Sequence, residues 1–104
     1  LVFEIYQLAS QLPSDEKFGL RSQITRAAVS IPSNIAEGCG RGSNKDYAHF
    51  LQMALGSSYE VDYQLLLAKD LVYISAEKYS AVIEKINAVK RQLASLLQRV
   101  RAAI

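Results

Sequence analysis

The last quarter of the chain carries an apolar stripe that a long helix with one buried side satisfies. Tyr79, Val82, Ile83, Ile86, Val89, Leu93, Leu96, Leu97, Val100 and Ile104 recur at steps alternating near three and four. That spacing gathers them on one face of an α-helix and suits packing against other helices at shallow angles. A helix of this kind cannot stand alone in water, so the rest of the chain must supply matching faces.

It does so three times. Leu1, Ile5, Leu8 and Leu12 keep helical spacing, widened by Val2 and Ala9, until Pro13 pushes the preceding residue out of the α region. Residues 13–19 then read as a connector with at most one helical turn, Ser14 capping Asp15 and Glu16. Leu20, Ile24, Ala27, Ala28, Ile31 and Ile35 form the second stripe. Tyr47, Leu51, Ala54, Ser58, Val61, Leu65 and Ala68 form the third, in a helix expected from Asn44 to about Lys69. Four helices joined by short links predict an all-α domain over residues 1–104, an antiparallel up-down-up-down four-helix bundle. In that topology helices two and four share a diagonal. Leu1 stands in mid-pattern, so the start of the first helix is expected upstream.

Residues 31–42 break the regularity. Pro32 interrupts the second stripe without shifting its register, which predicts one helix kinked at Pro32. A true break, with Ser30 or Ser33 capping a new helix, is the alternative. Ser33 and Asn34 follow where the disturbed backbone has polar groups to meet. Gly38, Gly40 and Gly42 then end the helix, and Ser43 with Asp46 three residues later reads as the next N-cap. Gly56-Ser57-Ser58, in the middle of helix three, is a small-residue patch that predicts close approach of another helix, because glycine there costs about 1 kcal/mol relative to alanine. Leu71–Ile74 reads as a folded-in turn, with Ser75 capping helix four.

Chemistry is sparse. His49 and Cys39 are single, with no H-x-x-x-H or C-x-x-C spacing, so neither a metal nor a cofactor is expected. No nucleophile, base and stabiliser can be assembled, which argues against an enzyme. Gly38-x-Gly40-x-Gly42 closes a helix instead of following a strand, unlike a phosphate loop. Arg41 and Lys45 could still meet a phosphate at the start of helix three. Glu37 and Glu60 are the acids expected to be partly buried, with Arg26 or Arg41 as the partner type. One cysteine excludes an intramolecular disulfide, in keeping with a reducing, cytoplasmic setting. No apolar run reaches the roughly 18–20 residues that cross a bilayer, and no signal segment opens the chain.

Net charge is only +2, but it is segregated. Lys17 to Lys45 holds five basic residues against Glu37, and Lys85 to Ile104 holds five with no acid. Asp46 to Asp70 runs the other way, four acids against Lys69. Such patterning points to a directed surface or a subunit contact.

The string from Leu20 to Gly38, LRSQITRAAVSIPSNIAEG, with Ile31-Pro32-Ser33-Asn34-Ile35-Ala36-Glu37-Gly38 at its end, resembles a specific family signature. Phe50-Leu51-x-x-Ala54-Leu55-Gly56-Ser57, Glu60 and Gln64-Leu65 extend the likeness. The family is that of bacterial four-helix-bundle proteins whose founding members are encoded within intervening sequences of 23S ribosomal RNA genes. The resemblance implies a left-handed bundle that assembles as a homo-oligomer, a pentamer being favoured. Related proteins are accessory factors of diversity-generating retroelements, where basic oligomers bind nucleic acid and a reverse transcriptase. Carried onto this sequence, RNA or DNA binding would fall to Arg21, Arg26, Arg41, Lys45, Lys85, Lys90 and Arg91. A protein–protein scaffold without nucleic acid is the other reading.

Overall fold

A computed structural model of the chain describes residues 1–16 and 19–104. Lys17, counted above in the basic segment, lies outside the described residues. The elements are α1 (Val2–Ser10), a 3-10 turn (Ser14–Glu16), α2 (Leu20–Cys39), α3 (Asn44–Asp70) and α4 (Ala76–Ala102). No strand occurs among the described residues.

The helix ends follow from local chemistry. Ser43 and Ser75 accept from the backbone N–H of Asp46 and Lys78, each at 3.1 Å, and so start α3 and α4. The first turn of α2 is capped from further away, with the Glu16 carboxylate accepting from Leu20 N–H at 3.0 Å. At the other end of α2, Gly42 takes the positive φ of 83° that glycine permits. The end of α3 is less comfortable. Tyr73 N–H reaches back to the Ala68 carbonyl and Val72 N–H to that of Lys69, both at 2.9 Å. This is a Schellman closure, and it forces Val72, a β-branched residue, to φ 62°.

α2 runs through Pro32 without interruption, so the alternative of a break with a second cap is set aside. Asn34 meets the disturbed backbone as anticipated, its amide donating to the Ser30 carbonyl at 2.8 Å. Ser33 instead is exposed.

The four stripes meet in one core, with Ile5, Ile24, Leu51, Val61, Leu65 and Ile86 almost wholly buried. Cross-helix contacts pair residues in opposite chain directions. Gly38 lies against Tyr47 and Phe50, while Ser30 meets Ser57, on α2 and α3. Asp62 meets Lys90 and Gln52 meets Arg101, on α3 and α4. Glu4 meets Lys85 and Gln11 meets Lys78, on α1 and α4. The turn before α4 folds in only partly: Ile74 is buried, whereas Leu71 and Val72 are exposed.

One expectation fails, and one is met at a neighbouring residue. Glu37 and Glu60 are both exposed. On a helix each residue lies 100° round from the last, so Glu37 is turned well away from Ile35 and Glu60 away from buried Val61. Gly56 has nothing of its own chain within 4 Å of the Cβ it lacks. The close approach occurs one residue on, where Ser57 and Ser30 share a 2.5 Å hydrogen bond, and at Gly38.

Candidate functional site

The seven basic residues singled out from the sequence are not one patch. Three are compensated within the chain. Arg41 pairs with Glu37 at 2.8 Å, one turn back, and its guanidinium lies 4.9 Å above the Phe50 ring. Lys85 pairs with Glu4 across α1 and α4. Its ammonium holds the Glu4 carboxyl below its ordinary value of 4.5. Lys90 is the most enclosed: only 16% of its side chain is exposed, Asp62 sits 2.5 Å from its ammonium, and the Tyr59 ring lies 4.4 Å beneath. A lysine held on two sides in this way is a fastener between α3 and α4 before it is a phosphate contact.

Arg21, Arg26, Lys45 and Arg91 make no ion pair among the described residues. Lys45 stands in the first turn of α3, and Arg91 borders a groove between α3 and α4 with Tyr59 and Asn87. Arg21 and Arg26 lie on the same helix but about 140° apart around its axis. They border two adjoining hollows along the α1–α2 seam, of about 340 and 370 Å³, which share Tyr6 and Thr25. Tyr6 is half exposed between them. Five residues apart on α2, the two arginines are separated by about 7.5 Å along the helix axis. Ser22, Ser30 and Ser33 add hydroxyls to the same walls.

Pro32 belongs elsewhere. With Ile31, Ile35, Val89, Leu93 and Leu96 it lines an apolar groove of about 340 Å³ between α2 and α4, beside Leu1 and Val2. Gly38 is buried where α2 meets α3 and is structural. The neighbouring Cys39 thiol, together with partial burial, raises the Tyr47 pKa. His49 is exposed, its ring meeting Phe50 edge-on at 5.3 Å.

Sequence reasoning missed Tyr6 and the α1–α2 seam. Tyr6 shares no helix with the arginines, so no spacing in the sequence could have joined them. Among the described residues no group of three or more histidine, cysteine, aspartate or glutamate side chains could hold a metal ion. No described helix is long and apolar enough to cross a membrane.

No curated protein is similar enough to count as a match. Solved structures do match. One is a protein of unknown function from the S23 ribosomal protein family of Bacteroides thetaiotaomicron, 28% identical with a TM-score of 0.86. The superposition covers 93% of this chain and 88% of that one. The profile of the 23S rRNA-intervening sequence proteins spans residues 1–95, taking in the proline motif of α2, the whole of α3 and most of α4. With helices, signature and profile in agreement over nearly its whole length, the chain belongs to the 23S rRNA-intervening sequence protein family.

Proposed function

We propose that this protein is a non-enzymatic, self-associating bundle of the cytoplasm that binds nucleic acid through the α1–α2 seam. The observation that carries this reading is the placement of Arg21 and Arg26, uncompensated among the described residues, around exposed Tyr6. An exposed aromatic side chain shared by two hollows, each bordered by one arginine, suits a phosphate backbone with a base able to stack. A net charge of +2 per chain is small, and self-association multiplies it around one axis. A homopentamer is the assembly favoured by the family likeness. Contacts to phosphates give weak sequence preference and strong salt dependence.

Light scattering on a sizing column, with a short single-stranded RNA at low and at moderate salt, tests both halves. The expected result is a particle several chains in mass that captures RNA at low salt and releases it at moderate salt. Arg21→Ala and Arg26→Ala should each lower the slope of log affinity against log salt by about 0.7. Lys90→Ala should leave that slope unchanged. A multimer that ignores RNA at both salts would defeat the nucleic-acid half.

A protein scaffold is the second reading, favoured by exposed Met53, Tyr59, Tyr63 and Leu66 on α3. It predicts that same RNA-indifferent multimer.

A further inference from the structure

The outer surface of α3 carries a pattern that its own chain covers only at one edge, where the Lys90 ammonium lies over the Tyr59 ring. Gly56 stands in mid-helix facing open space, although glycine there weakens the helix by about 1 kcal/mol relative to alanine. Along the same face follow Tyr59 and Tyr63, 58% and 64% exposed, and then Leu66 at 39%. Steps of three and four put all four positions in one row. Single exposed aromatics are ordinary. A contiguous row with a gap at one end, where another backbone can come close, has the form of a helix-docking surface.

Charge selects the occupant. Glu60 and Asp70 flank this row, exposed, and neither has a cation within ion-pair distance among the described residues. On the second half of α4, Arg91 and Arg99 are exposed and equally without an acid among the described residues. Glu77 and Glu84 confine the positive stretch to that half. The acids beside the row and the arginines of α4 are unpaired on one chain, among the described residues, although Tyr59 and Arg91 border the same groove, and a second copy of this chain presents both charges. Contact between unlike faces of identical chains is heterologous, the kind that closes into rings. It also leaves the α1–α2 seam uncovered.

We propose that the Gly56–Tyr59–Tyr63–Leu66 row of α3 is the docking surface for the basic outer face of α4 of a second copy. This rests on the self-association proposed above and goes further by naming the contact. The test is the mass in solution, by light scattering at matched concentrations, of the full chain and four variants. Tyr63→Glu, on an exposed side chain, should fall to monomer mass with its far-ultraviolet dichroism intact. Glu60→Arg and Arg91→Glu should each lower the mass, and the two combined should restore it. A multimeric parent with Tyr63→Glu and both charge reversals equally multimeric would overturn the assigned surface while leaving self-association standing. A monomeric parent at every concentration would overturn self-association itself, and this contact with it.

Discussion

Gly38→Ala is the most searching perturbation of the packing described here. Gly38 has ordinary helical backbone, since the one glycine with positive φ among the described residues is Gly42. An alanine therefore meets no conformational objection, only a steric one. Its Cβ would lie 2.9 Å from Phe50 Cβ, 3.0 Å from Tyr47 Cδ1 and 3.5 Å from Tyr47 Cα. Carbon atoms rest about 3.5–4.0 Å apart, and Phe50 Cβ is one bond from the backbone and cannot swing aside. The end of α2 must move off α3 by several tenths of an ångström. Overpacking of this kind costs about 1–3 kcal/mol, while alanine returns about 1 kcal/mol of helix propensity. A net loss of up to about 2 kcal/mol lowers Tm by up to about 15 °C in a domain of this size. Gly56→Ala is the matched reference: same exchange, same kind of backbone, nothing within 4 Å. It should gain about 1 kcal/mol. Urea unfolding followed by circular dichroism, repeated across a tenfold dilution to expose any association contribution, reads the two signs directly. If Gly38→Ala stabilises as Gly56→Ala does, α2 and α3 are not in contact as described.

Val72→Gly should raise stability by about 1 kcal/mol, because it frees an 85%-exposed β-branched residue from a left-handed backbone; an unchanged Tm would mean no strain is held there. Glu4 has its pKa lowered on folding, chiefly by its bond to Lys85, so its contribution is present above 4.5 and is lost as pH falls through the folded value. The Tm gap between the parent and Glu4→Gln should accordingly be open at about pH 6 and narrow as pH falls below 4.5; a gap constant with pH would refute the pairing. Gln64 is 4% exposed with its carbonyl oxygen unpartnered, so Gln64→Met should be neutral or stabilising by up to about 1 kcal/mol in the same urea titration. Pro32→Ala restores a donor for the Ala28 carbonyl and should straighten the bend expected at the proline, adding about 1–3 kcal/mol of helix stability. If that bend shapes the subunit contact, the mass by light scattering should fall as helicity rises, and an unchanged mass would make the proline incidental to assembly.

The helices were legible because their determinants are local. A 3.6-residue period, Ser43 and Ser75 at the helix starts and glycines past Cys39 are all read within a few residues of where they act. What escaped was everything joined across the bundle. Glu16 caps α2 and accepts a hydrogen bond from Tyr73, 57 residues away. The Gly38 contact depends on how far apart α2 and α3 settle, a distance that no propensity encodes. The small patch Gly56-Ser57-Ser58 marks the place where α2 approaches α3, but which of its residues makes the contact, Ser57 against Ser30, depends on how the two helices are rotated.

The candidate site shows the same division in sharper form. Sequence counts charges; it does not show which are already answered. Lys90 looked as available as Arg21, because Asp62 lies 28 positions from it and Tyr59 further still. Once folded, Lys90 is clasped between them, Lys85 is tied to Glu4, and Arg41 is tied to Glu37. The basic content of the second half of α4 thereby shrinks towards Arg91, Arg99 and Arg101, the last bonded only to the neutral Gln52 amide, while that of α2 stays whole at Arg21 and Arg26. A polyanion responds to uncompensated charge at the surface and not to composition. For this bundle, then, uncompensated charge puts the proposed nucleic-acid contact on the α1–α2 seam and the proposed subunit contact on α3 and α4.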